Sequence, residues 1–370
     1  MELNDLRDQI DQIDEEILNR FQKRMKLCQQ VAEYKRKNSL SVYQGGREQE
    51  VIEKVKQKSE EQYKTCTSVL FKNIMDISKS LQQYELNKTS TIAFDKLGFS
   101  NECRIGCQGM KGSNSEEAAH KIFGSHSNIT FYREFEDVFR AVEEGKADFG
   151  VIPVQNSSTG SISQTYDLMK RYNVYINKMV RISIRHCLAA NTDNINDINE
   201  VYSHPQALSQ CTEYLKQNRL TPVNYANTAT AAKFAANSEK KIGVICSEKC
   251  AQLYKLHILG TDISDEEMNF TRFICISKQC MIADDADTIS VLMNLSNQEG
   301  SLYRMLTKFR VAGLNLSKIE SRPLHKGNFD VTFYLDFNGN IKDDRVSALI
   351  TSLSNELDDF KFLGNYSELV

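Results

Sequence analysis

The sequence predicts three consecutive domains of different classes: an all-α domain, an α/β domain and an α+β domain. The first 86 residues contain no Pro and only two Gly, and their apolar residues recur at helical spacing. From Cys103 onward, short apolar runs alternate with helical segments. After about residue 285 the pattern becomes strand, helix, strand, strand, helix, strand. We therefore expect domains over residues 1–86, 103–282 and 285–370, with a linker over 87–102.

The overall composition excludes several classes of protein. Apolar residues make up 41% of the 370 residues, which is enough for two or three packed cores. The net charge of −3 gives no global attraction for nucleic acid. No apolar stretch approaches the ~20 residues of a membrane span, and the polar first five residues do not look like a signal peptide. We expect a cytoplasmic protein that binds neither nucleic acid nor membrane.

The ten Cys residues do not form a recognisable metal site. None is spaced as Cys-x-x-Cys, and no His or second Cys pair completes a zinc pattern. Neither glycine-rich nucleotide loop, G-x-x-x-x-G-K or G-x-G-x-x-G, is present. The sequence therefore predicts reduced thiols, no metal and no cofactor.

The first domain should consist of three helices. The first is predicted to run to about Lys37, a length of roughly 50 Å, and so long a helix needs a partner chain or a bundle to bury its apolar stripe. The second spans about 47–60. The apolar face of the first helix comprises Leu3, Leu6, Ile10, Ile13, Ile17, Phe21, Cys28 and Val31, and that of the third comprises Val69, Leu70, Ile74, Ile77, Leu81 and Tyr84.

Two cations lie in line with the apolar stripe of the first helix. Arg24 follows Leu3, Ile10 and Ile17 at intervals of seven, and Lys35 lies about three turns further on. Buried cations are costly unless an anion meets them. A structural ion pair with an acid of another helix is one explanation. A binding site for a small dianion with a hydroxyl is the other, and the residues that would suit it are Arg7, Arg24, Lys35, Arg47, Glu48, Ser78 and Gln82.

Residues 3–84 resemble the all-helical class of chorismate mutase through this set. The resemblance implies a pericyclic rearrangement of chorismate to prephenate, which needs a folded substrate and a stabilised ether oxygen. It implies that Arg24 and Arg7 hold the two carboxylates, with Arg47 and Ser78 also binding substrate. Lys35 and Gln82 would donate to the ether oxygen, and Glu48 would accept from the ring hydroxyl. Arg7 and Arg24 lie about 25 Å apart along one helix, so Arg7 would come from a second chain of a homodimer or a higher homo-oligomer.

The second domain should alternate strands and helices around a largely parallel sheet. The predicted helix of its first half covers 116–123. The predicted strands are 104–108, 149–154, 183–190, 201–202, 242–245 and 273–277.

Three motifs in the second domain carry polar side chains at strand ends. Residues 150–162 run from a strand into a hydroxyl-rich turn with Asn156 and Ser157, although a plain Ser/Gly loop would look the same. Ser203-His204-Pro205 precedes Gln210, and His-Pro in a turn is often structural. Asn269-Phe270-Thr271-Arg272-Phe273 places a hydroxyl beside a guanidinium at the start of a strand.

In this order, the three motifs resemble prephenate dehydratase, whose fold is similar to that of two-lobed solute-binding proteins. The resemblance implies that prephenate loses its ring carboxylate as CO2 and its 4-hydroxyl as water, with Thr271 as the donor to that hydroxyl. It implies that Arg272 binds a carboxylate. The other implied substrate-binding residues are Asn156, Ser157, Ser203, His204, Gln210 and Phe273. The chain departs from the family pattern at Met110, Asn114 and Gln155.

The third domain resembles the ACT regulatory domain over about 286–366. The resemblance rests on Gly300-Ser301-Leu302 at a helix start and on Glu320-Ser321-Arg322-Pro323 at a strand end. It implies a ferredoxin-like β-α-β-β-α-β fold in which these two motifs meet across a dimer interface and bind phenylalanine.

Taken together, the chain resembles bifunctional chorismate mutase–prephenate dehydratases with phenylalanine feedback. Two alternatives remain open. In the first, the helical domain serves only for dimerisation, although Arg24 and Lys35 on an apolar seam argue against this. In the second, the chain is a ligand-binding regulator without turnover, against which the intact Thr271-Arg272 pair argues.

Overall fold

The computed structural model of the chain describes most of its residues and divides into two compact units. The described residues are 2–38, 45–86, 92–100, 102–125, 127–266, 268–323 and 331–370, with the backbone alone at 45 and 84–86. One unit combines Met1–Ala93 with Asp287–Phe362. The other combines Phe94–Ala286 with Leu363–Val370.

The helices in the described part of the chain are as follows. They are α1 (Leu3–Lys37), α2 (Gly45–Lys58), α3 (Lys64–Leu86), α4 (Asn114–Phe123), α5 (Phe135–Glu143), α6 (Ser163–Arg171), α7 (Pro205–Ser209), α8 (Thr212–Gln217), α9 (Thr228–Ala236), α10 (Glu248–Leu253), α11 (Ser301–Val311) and α12 (Asp344–Glu356). Short 3-10 turns occupy Glu61–Tyr63 and Ile195–Asp197.

The strands are β1 (Asp95–Lys96), β2 (Arg104–Gln108), β3 (Asn128–Tyr132), β4 (Phe149–Asn156), β5 (Gly160–Ser161), β6 (Tyr175–Ser183), β7 (Cys187–Ala190), β8 (Glu200–Ser203), β9 (Thr221–Asn224), β10 (Gly243–Cys246), β11 (His257–Gly260), β12 (Phe270–Ser277), β13 (Met281–Ile282), β14 (Thr288–Leu295), β15 (Leu316–Pro323), β16 (Val331–Asn338), β17 (Phe360–Tyr366) and β18 (Glu368–Leu369). The predicted linker 87–102 includes β1, which pairs with β13; residues 87–91 and 101 lie outside the described part.

In the first unit, the long helix α1 begins in a capping box and ends in a basic turn. The Glu2 backbone donates to the Asp5 carboxylate at 2.9 Å, and the last turn carries Lys35, Arg36 and Lys37, which suit the negative end of the helix dipole. Helix α3 packs against both α1 and α2. On α1 the buried residues are Met25, Ala32 and Lys35, whereas its N-terminal apolar stripe is exposed.

The remaining elements of the first unit follow the predicted order of strand, helix, strand, strand, helix, strand. Their sheet has the strand order β15-β16-β14-β17, and β16 runs antiparallel to both β14 and β15. Both of its helices, α11 and α12, pack against α3. Residues 324–330 of the predicted loop and strand lie outside the described part.

The second unit contains two lobes, each built on one sheet. The first-lobe sheet has the order β18-β6-β12-β4-β2-β3, with β5 beside β4, and the second-lobe sheet has the order β11-β7-β10-β8-β9. The chain forms β2 to β6 in the first lobe, builds the second lobe, and then returns with β12 to the centre of the first sheet. Thr271, at the start of β12, therefore lies where the chain re-enters the first lobe.

The prediction of a largely parallel sheet is wrong, because both sheets are mixed. Strand β2 is parallel to β3 and β4, and β8 is parallel to β9 and β10. Strand β12 is antiparallel to both β4 and β6, and β7 is antiparallel to β10 and β11. The predicted strand 183–190 is in fact the end of β6 followed by β7. Apolar periodicity locates strands but does not give their direction.

Candidate functional site

Thr271 is held by a neighbouring amide in the centre of the first-lobe sheet. It pairs with Asn156 across β12 and β4, and both side chains are buried. The Asn156 Nδ2 group donates to Thr271 Oγ1 at 3.0 Å and to Asn269 Oδ1 at 2.8 Å. Because Thr271 Oγ1 accepts this hydrogen bond, its own hydrogen is available to a further acceptor. Such an accepted bond also polarises the hydroxyl in the sense that favours donation.

The orientation of the Asn156 amide is fixed by the turn that follows β4. Its Oδ1 accepts from the backbone N–H groups of Ser158 and Thr159, each at 3.1 Å. Ser157 joins the same turn to β12, since its Oγ accepts from the Phe270 N–H at 3.0 Å and its N–H donates to the Phe270 carbonyl at 2.9 Å. Hydrogen bonds therefore fix the hydroxyl-rich turn against β12, beside Thr271.

A chain of side-chain hydrogen bonds continues from Asn269 into the second lobe. Asn269 Nδ2 donates to Gln210 Oε1 at 3.0 Å. His186 Nε2 lies 3.0 Å from the same oxygen and donates to it. Burial lowers the pKa of His186, opposed by its hydrogen bond to Gln210, so the imidazole is neutral near pH 7. Thr271, Asn156, Asn269, Gln210 and His186 thus form one connected network.

Within the described residues, the Gln210 amide has a donor that no protein group uses. Its Nε2 is buried and has no hydrogen-bond partner, whereas its Oε1 receives two donors. A buried N–H without an acceptor costs free energy, and a substrate oxygen would remove that cost. Gln210 is therefore suited to binding an oxygen-rich ligand.

Ser203 and His204 perform structural tasks at the end of β8. The Ser203 hydroxyl is fully buried and donates to the Ile245 carbonyl at 2.7 Å, which joins β8 to β10. His204 caps α7, with its Nδ1 accepting from the Gln206 N–H at 3.2 Å, and partial burial lowers its pKa. The nearby Gln206 Nε2 reaches Thr159 Oγ1 of the first lobe at 3.3 Å. Neither Ser203 nor His204 joins the Thr271 network.

The structure does not bring Arg272 and Phe273 together with the Thr271 hydroxyl. Adjacent strand residues point to opposite faces, and Arg272 bonds on its own face to Glu368, with Nε–Oε1 at 2.9 Å and Nη2–Oε2 at 3.2 Å. Its Nη1 donates to Gln155 Oε1 at 3.2 Å. Phe273 is 2% exposed and packs in the core with Ile105 and other apolar residues. The expectation that Phe273 contacts substrate is corrected accordingly, because Phe273 is a core residue. The carboxylate that Arg272 meets in the structure belongs to the chain itself.

In the helical domain, Arg24 meets α3 as the sequence predicts. Its Nη1 donates to Ser78 Oγ at 2.5 Å, and Ser78 also donates to the Ile74 carbonyl at 2.7 Å. Ser78, Lys35 and Gln82 are 3%, 8% and 8% exposed. Four of the predicted residues therefore lie on the inward faces of α1 and α3.

The other predicted residues of this domain are more exposed. Glu48 accepts from Lys79 Nζ at 3.1 Å, and Lys79 also pairs with Asp76 at 2.9 Å. Burial alone would lower the pKa of Lys79, but hydrogen bonds and attraction from Asp76 and Glu48 raise it. Arg47 is exposed and pairs with Glu50. Arg7 is exposed on the N-terminal half of α1 and is not brought to Arg24.

The two predicted regulatory motifs lie at the same end of the strands in the four-stranded sheet. Gly300 caps α11 with φ of +75°, a conformation that favours glycine. Arg304 fixes this turn by donating to the Glu299 carbonyl at 3.2 Å and to Ser301 Oγ at 3.1 Å, and Leu302 follows on the first turn. Leu295 and Pro323 both pair with Val331 of β16. The turn after β14 and the Glu320-Ser321-Arg322-Pro323 end of β15 are therefore about 10 Å apart, two strand spacings.

Sequence reasoning missed four residues of these sites. Asn269 stood inside the quoted pentapeptide and Lys79 directly follows Ser78, so both had a neighbouring signal. His186 and Glu368 had none, because their partners are 24 and 96 residues away along the chain.

Other kinds of site are not found in the described part of the chain. It contains no cluster of three or more metal-binding side chains. No helix there is long and apolar enough to cross a membrane. All ten Cys are free thiols.

The fold and these side chains define an enzyme in which an all-helical domain with inward-facing cations is joined to a two-lobed domain with a threonine at the junction of the lobes. Comparisons with known proteins agree. The chorismate mutase type II family profile matches residues 6–83, and the prephenate dehydratase profile matches residues 105–281.

Three relatives cover large parts of the chain. The bifunctional chorismate mutase/prephenate dehydratase of Aquifex aeolicus is 32% identical, with 99% of this chain and 98% of that protein covered. The arogenate dehydratase/prephenate dehydratase 2 of Arabidopsis thaliana is 36% identical, with 71% of this chain and 72% of that protein covered. The structure of Arthrobacter aurescens prephenate dehydratase in complex with L-Phe has a TM-score of 0.67 and 25% identity, covering 71% of this chain and 90% of that one. The chain belongs to the bifunctional chorismate mutase/prephenate dehydratase family, and it has both activities in phenylalanine biosynthesis.

Proposed function

We propose that Thr271 is the proton donor to the departing hydroxyl of prephenate. The observation that carries this assignment is the hydrogen bond from Asn156 Nδ2 to Thr271 Oγ1, which leaves the threonine hydrogen for the substrate. A hydroxyl is a weak acid, so the step depends on placement and on the gain of an aromatic ring. The electron pair of the bond to CO2 enters the ring, the C–O bond breaks, and the oxygen leaves as water with the threonine proton, which solvent then replaces. Asn269, Gln210 and the Ser157 turn keep the Asn156–Thr271 pair in one orientation.

Binding of prephenate in this proposal relies on neutral donors. The unused Gln210 Nε2 donates to a substrate oxygen, and this supports Gln210 as a binding residue. Asn156 and Ser157 shape the wall beside Thr271. Ser203 and His204 support the wall through β8 and α7, which agrees with the structural alternative for His204. Arg272 acts on the strand and not on the substrate.

For the mutase step, we propose that chorismate binds between α1 and α3. Arg24, oriented by Ser78, binds one carboxylate, while Lys35 and Gln82 donate to the ether oxygen. Glu48, held by Lys79, accepts from the ring hydroxyl, and Arg47 borders the site. Arg7 of a second copy binds the other carboxylate. The exposure of Leu3, Ile10 and Ile17, between 56% and 63%, supports a homodimer in which two α1 helices pack together.

For regulation, we propose that the four-stranded domain is a ferredoxin-like ACT domain that binds phenylalanine and inhibits the dehydratase. The turn Gly300-Ser301-Leu302 and the segment Glu320-Ser321-Arg322-Pro323 would form the site, completed by a second copy. Their position at the same end of the strands supports this, as does the bound L-Phe of the Arthrobacter enzyme. Ten free thiols agree with a cytoplasmic location.

Arogenate is a second candidate substrate for the dehydratase. The observation that favours it is the relationship to the Arabidopsis enzyme, whose name includes both activities. Arogenate carries an amino group where prephenate has a keto oxygen, and both carry the ring hydroxyl to which Thr271 donates in this proposal. Parallel assays with both substrates distinguish the cases.

A pair of complementary substitutions tests the assignment of the two sites. Thr271→Ala should slow phenylpyruvate formation by about 10²- to 10⁴-fold, the usual contribution of a positioned proton donor, and leave prephenate formation unchanged. Thr271→Ser should retain part of the dehydratase rate. Arg24→Ala should do the reverse, slowing prephenate formation while added prephenate is still converted. A Thr271→Ala enzyme with a normal dehydratase rate would refute the role of Thr271.

A further inference from the structure

The strand that follows the regulatory fold is anchored in the dehydratase sheet. We call Leu363–Val370 the return segment; it begins within β17 and ends with β18, which pairs in parallel with β6. Gly364 lies so close to β6 that a Cβ there would stand 2.1 Å from the Ile176 carbonyl oxygen. Asn365 and Tyr366 are 0% and 1% exposed. The segment is thus packed into the sheet that carries Thr271.

A first polar anchor lies at Ser367. The Met179 N–H donates to the Ser367 carbonyl at 3.1 Å. The Ser367 hydroxyl accepts a hydrogen bond from Lys178 Nζ at 2.6 Å and donates one to Asp285 Oδ2 at 2.8 Å. Lys178 and Asp285 are themselves paired at 3.0 Å. This anchor fixes the position of the next residue, Glu368.

Glu368 bridges the two arginines of the central strands. Its carboxylate meets Arg272 on β12 at 2.9 and 3.2 Å and Arg181 on β6 at 3.2 and 3.0 Å. The Glu368 side chain is 22% exposed and each arginine 32%. One carboxylate thus holds two guanidinium groups in paired hydrogen bonds, an arrangement with strict geometry.

The bridge meets β12 where its pairing with β4 is irregular. The register shifts between Arg272 and Phe273 of β12, which oppose Gln155 and Pro153, so Val154 of β4 is the extra residue of a bulge. Such bulges redirect neighbouring side chains, and the next two residues of β4, Gln155 and Asn156, bond to Arg272 and Thr271. Arg272 thus has partners on both sides, Gln155 on β4 and Glu368 on β18.

We propose that Glu368 is a positioning residue for the dehydratase, acting through Arg272 on Thr271. We further propose that the return segment transmits phenylalanine binding in the four-stranded domain, which ends in β17, to this site. The inference rests on the proposed roles of Thr271 and of the phenylalanine-binding domain. A change at β17 shifts the return segment, the Glu368 bridge then reorients Arg272, and Arg272 moves the hydroxyl of the adjoining residue Thr271. Glu368 acts in this proposal only through its bonds to Arg272 and Arg181.

The test uses the full chain with added prephenate and compares Glu368→Gln with Glu368→Asp. The glutamine keeps the shape but loses the charge, so kcat should fall by about tenfold with KM changed by less than about twofold. The phenylalanine concentration that halves the rate should rise about fivefold. Aspartate keeps the charge on a shorter side chain and should recover part of kcat. The mutase rate should not change in either variant.

Asp148→Asn is the matched control, because Asp148 also holds an arginine with two hydrogen bonds in the same lobe. Its partner is Arg104 at the start of β2, at 2.6 and 3.2 Å, far along the sheet from Thr271. The control should lose a similar amount of thermal stability but keep kcat and the phenylalanine response.

Each remaining outcome has a definite meaning. A wild-type kcat in Glu368→Gln overturns the positioning role. A reduced kcat with an unchanged phenylalanine response overturns the transmission by the return segment. Equal losses of kcat in Glu368→Gln and Asp148→Asn reduce the bridge to a general stabilising contact. A normal rate in Thr271→Ala would instead refute the proposed function, which keeps the two failures distinct.

Discussion

The side chains around Thr271 are amides, hydroxyls and a neutral imidazole, and this composition has consequences for pH. None of the amides titrates, and the pKa of the buried His186 is lowered by burial. The dehydratase network therefore keeps one hydrogen-bonding pattern across neutral pH. The network is expected to change at acidic pH, where the buried His186 must accept a proton.

The stability of the protein should depend on pH through His186. Its folded pKa lies below the ordinary value of 6.5, so the unfolded chain binds more protons as the pH falls below 6.5. This group therefore costs stability on acidification from 6.5 down to its folded pKa and costs nothing above 6.5. Urea unfolding between pH 7 and pH 5 should show a smaller loss in His186→Gln than in wild type. His257→Gln, at an exposed strand position, is the control. An equal pH effect in both variants would contradict the assignment.

Asn269 should be needed for the dehydratase rate, because it links Asn156 to Gln210 in the network. Asn269→Asp cannot donate to Gln210 Oε1 and places a charge beside it, so dehydratase kcat should fall by about tenfold or more. Asn191→Asp provides a control in the second lobe, where the Asn191 amide donates to the Ser238 and Lys240 carbonyls at 3.0 and 2.9 Å. Steady-state assays with prephenate should show a loss of rate only in the first variant. Equal rates in both would remove Asn269 from the site.

At this scale, the sequence identified the residues within motifs but not their partners. Thr271, Asn156 and Gln210 were predicted together, and the structure joins them through Asn269. The sequence predicts that Arg272 binds a carboxylate. In the structure that carboxylate is Glu368, 96 residues later in the chain. A long-range partner of this kind leaves no local pattern for sequence reasoning to detect.

Among the elements, α1 most clearly needs a partner. Its N-terminal stripe is exposed at Leu3, Leu6, Ile10, Ile13 and Ile17, with exposed fractions of 43% to 63%. In contrast, the second half of the helix buries Met25, Ala32 and Lys35. One face of the second half is thus packed within the chain, whereas the first half presents an exposed apolar face.

A charge on that face should separate the proposed dimer. Ile10→Asp should shift the sedimentation coefficient toward that of a monomer and reduce the mutase rate, because Arg7 would no longer reach a neighbouring site. Gln12→Asp, about 200° around the helix from Ile10, should change neither. An unaltered sedimentation profile in Ile10→Asp would exclude pairing through this face.

The return segment makes a sharp prediction about one glycine. Gly364→Ala places a Cβ 2.1 Å from the Ile176 carbonyl oxygen, so the free energy of unfolding should fall by roughly 1–3 kcal/mol. Gly98→Ala is the control, since a Cβ there meets nothing within 4 Å. Urea denaturation of both variants provides the measurement. Equal stability of Gly364→Ala and wild type would show that the segment does not sit tightly on β6.

The elements themselves were largely predictable, whereas their pairing was not. The bounds of β2 agree with the predicted strand 104–108, and the elements from β14 to β17 follow the predicted order of strand, helix, strand, strand, helix, strand. The direction of β12 was missed, because it depends on the chain having first built the second lobe. Strand β6 was also missed, since its polar residues Asn177, Lys178 and Arg181 hide the apolar run; in the fold these residues bond to Ser277, Asp285 and Glu368.

On the scale of the whole molecule, the three predicted domains and the two compact units do not share the same boundaries. The helical segment Met1–Ala93 and Asp287–Phe362 belong to one unit although nearly 200 residues separate them in sequence. The last eight residues belong to the other unit, where Gly364 and Glu368 anchor them. Sequence patterns divide a chain into consecutive pieces, and packing then combines pieces that are not consecutive.

The central claim is that one chain holds a mutase site, a dehydratase site and a phenylalanine-responsive domain. The most direct test supplies purified full-length protein with chorismate and follows prephenate and phenylpyruvate separately, with and without phenylalanine. We predict that both products form and that phenylalanine suppresses phenylpyruvate while prephenate accumulates. Phenylpyruvate formation that is indifferent to phenylalanine would contradict the regulatory part of this account, and failure to consume chorismate while added prephenate is converted would contradict the mutase site between α1 and α3.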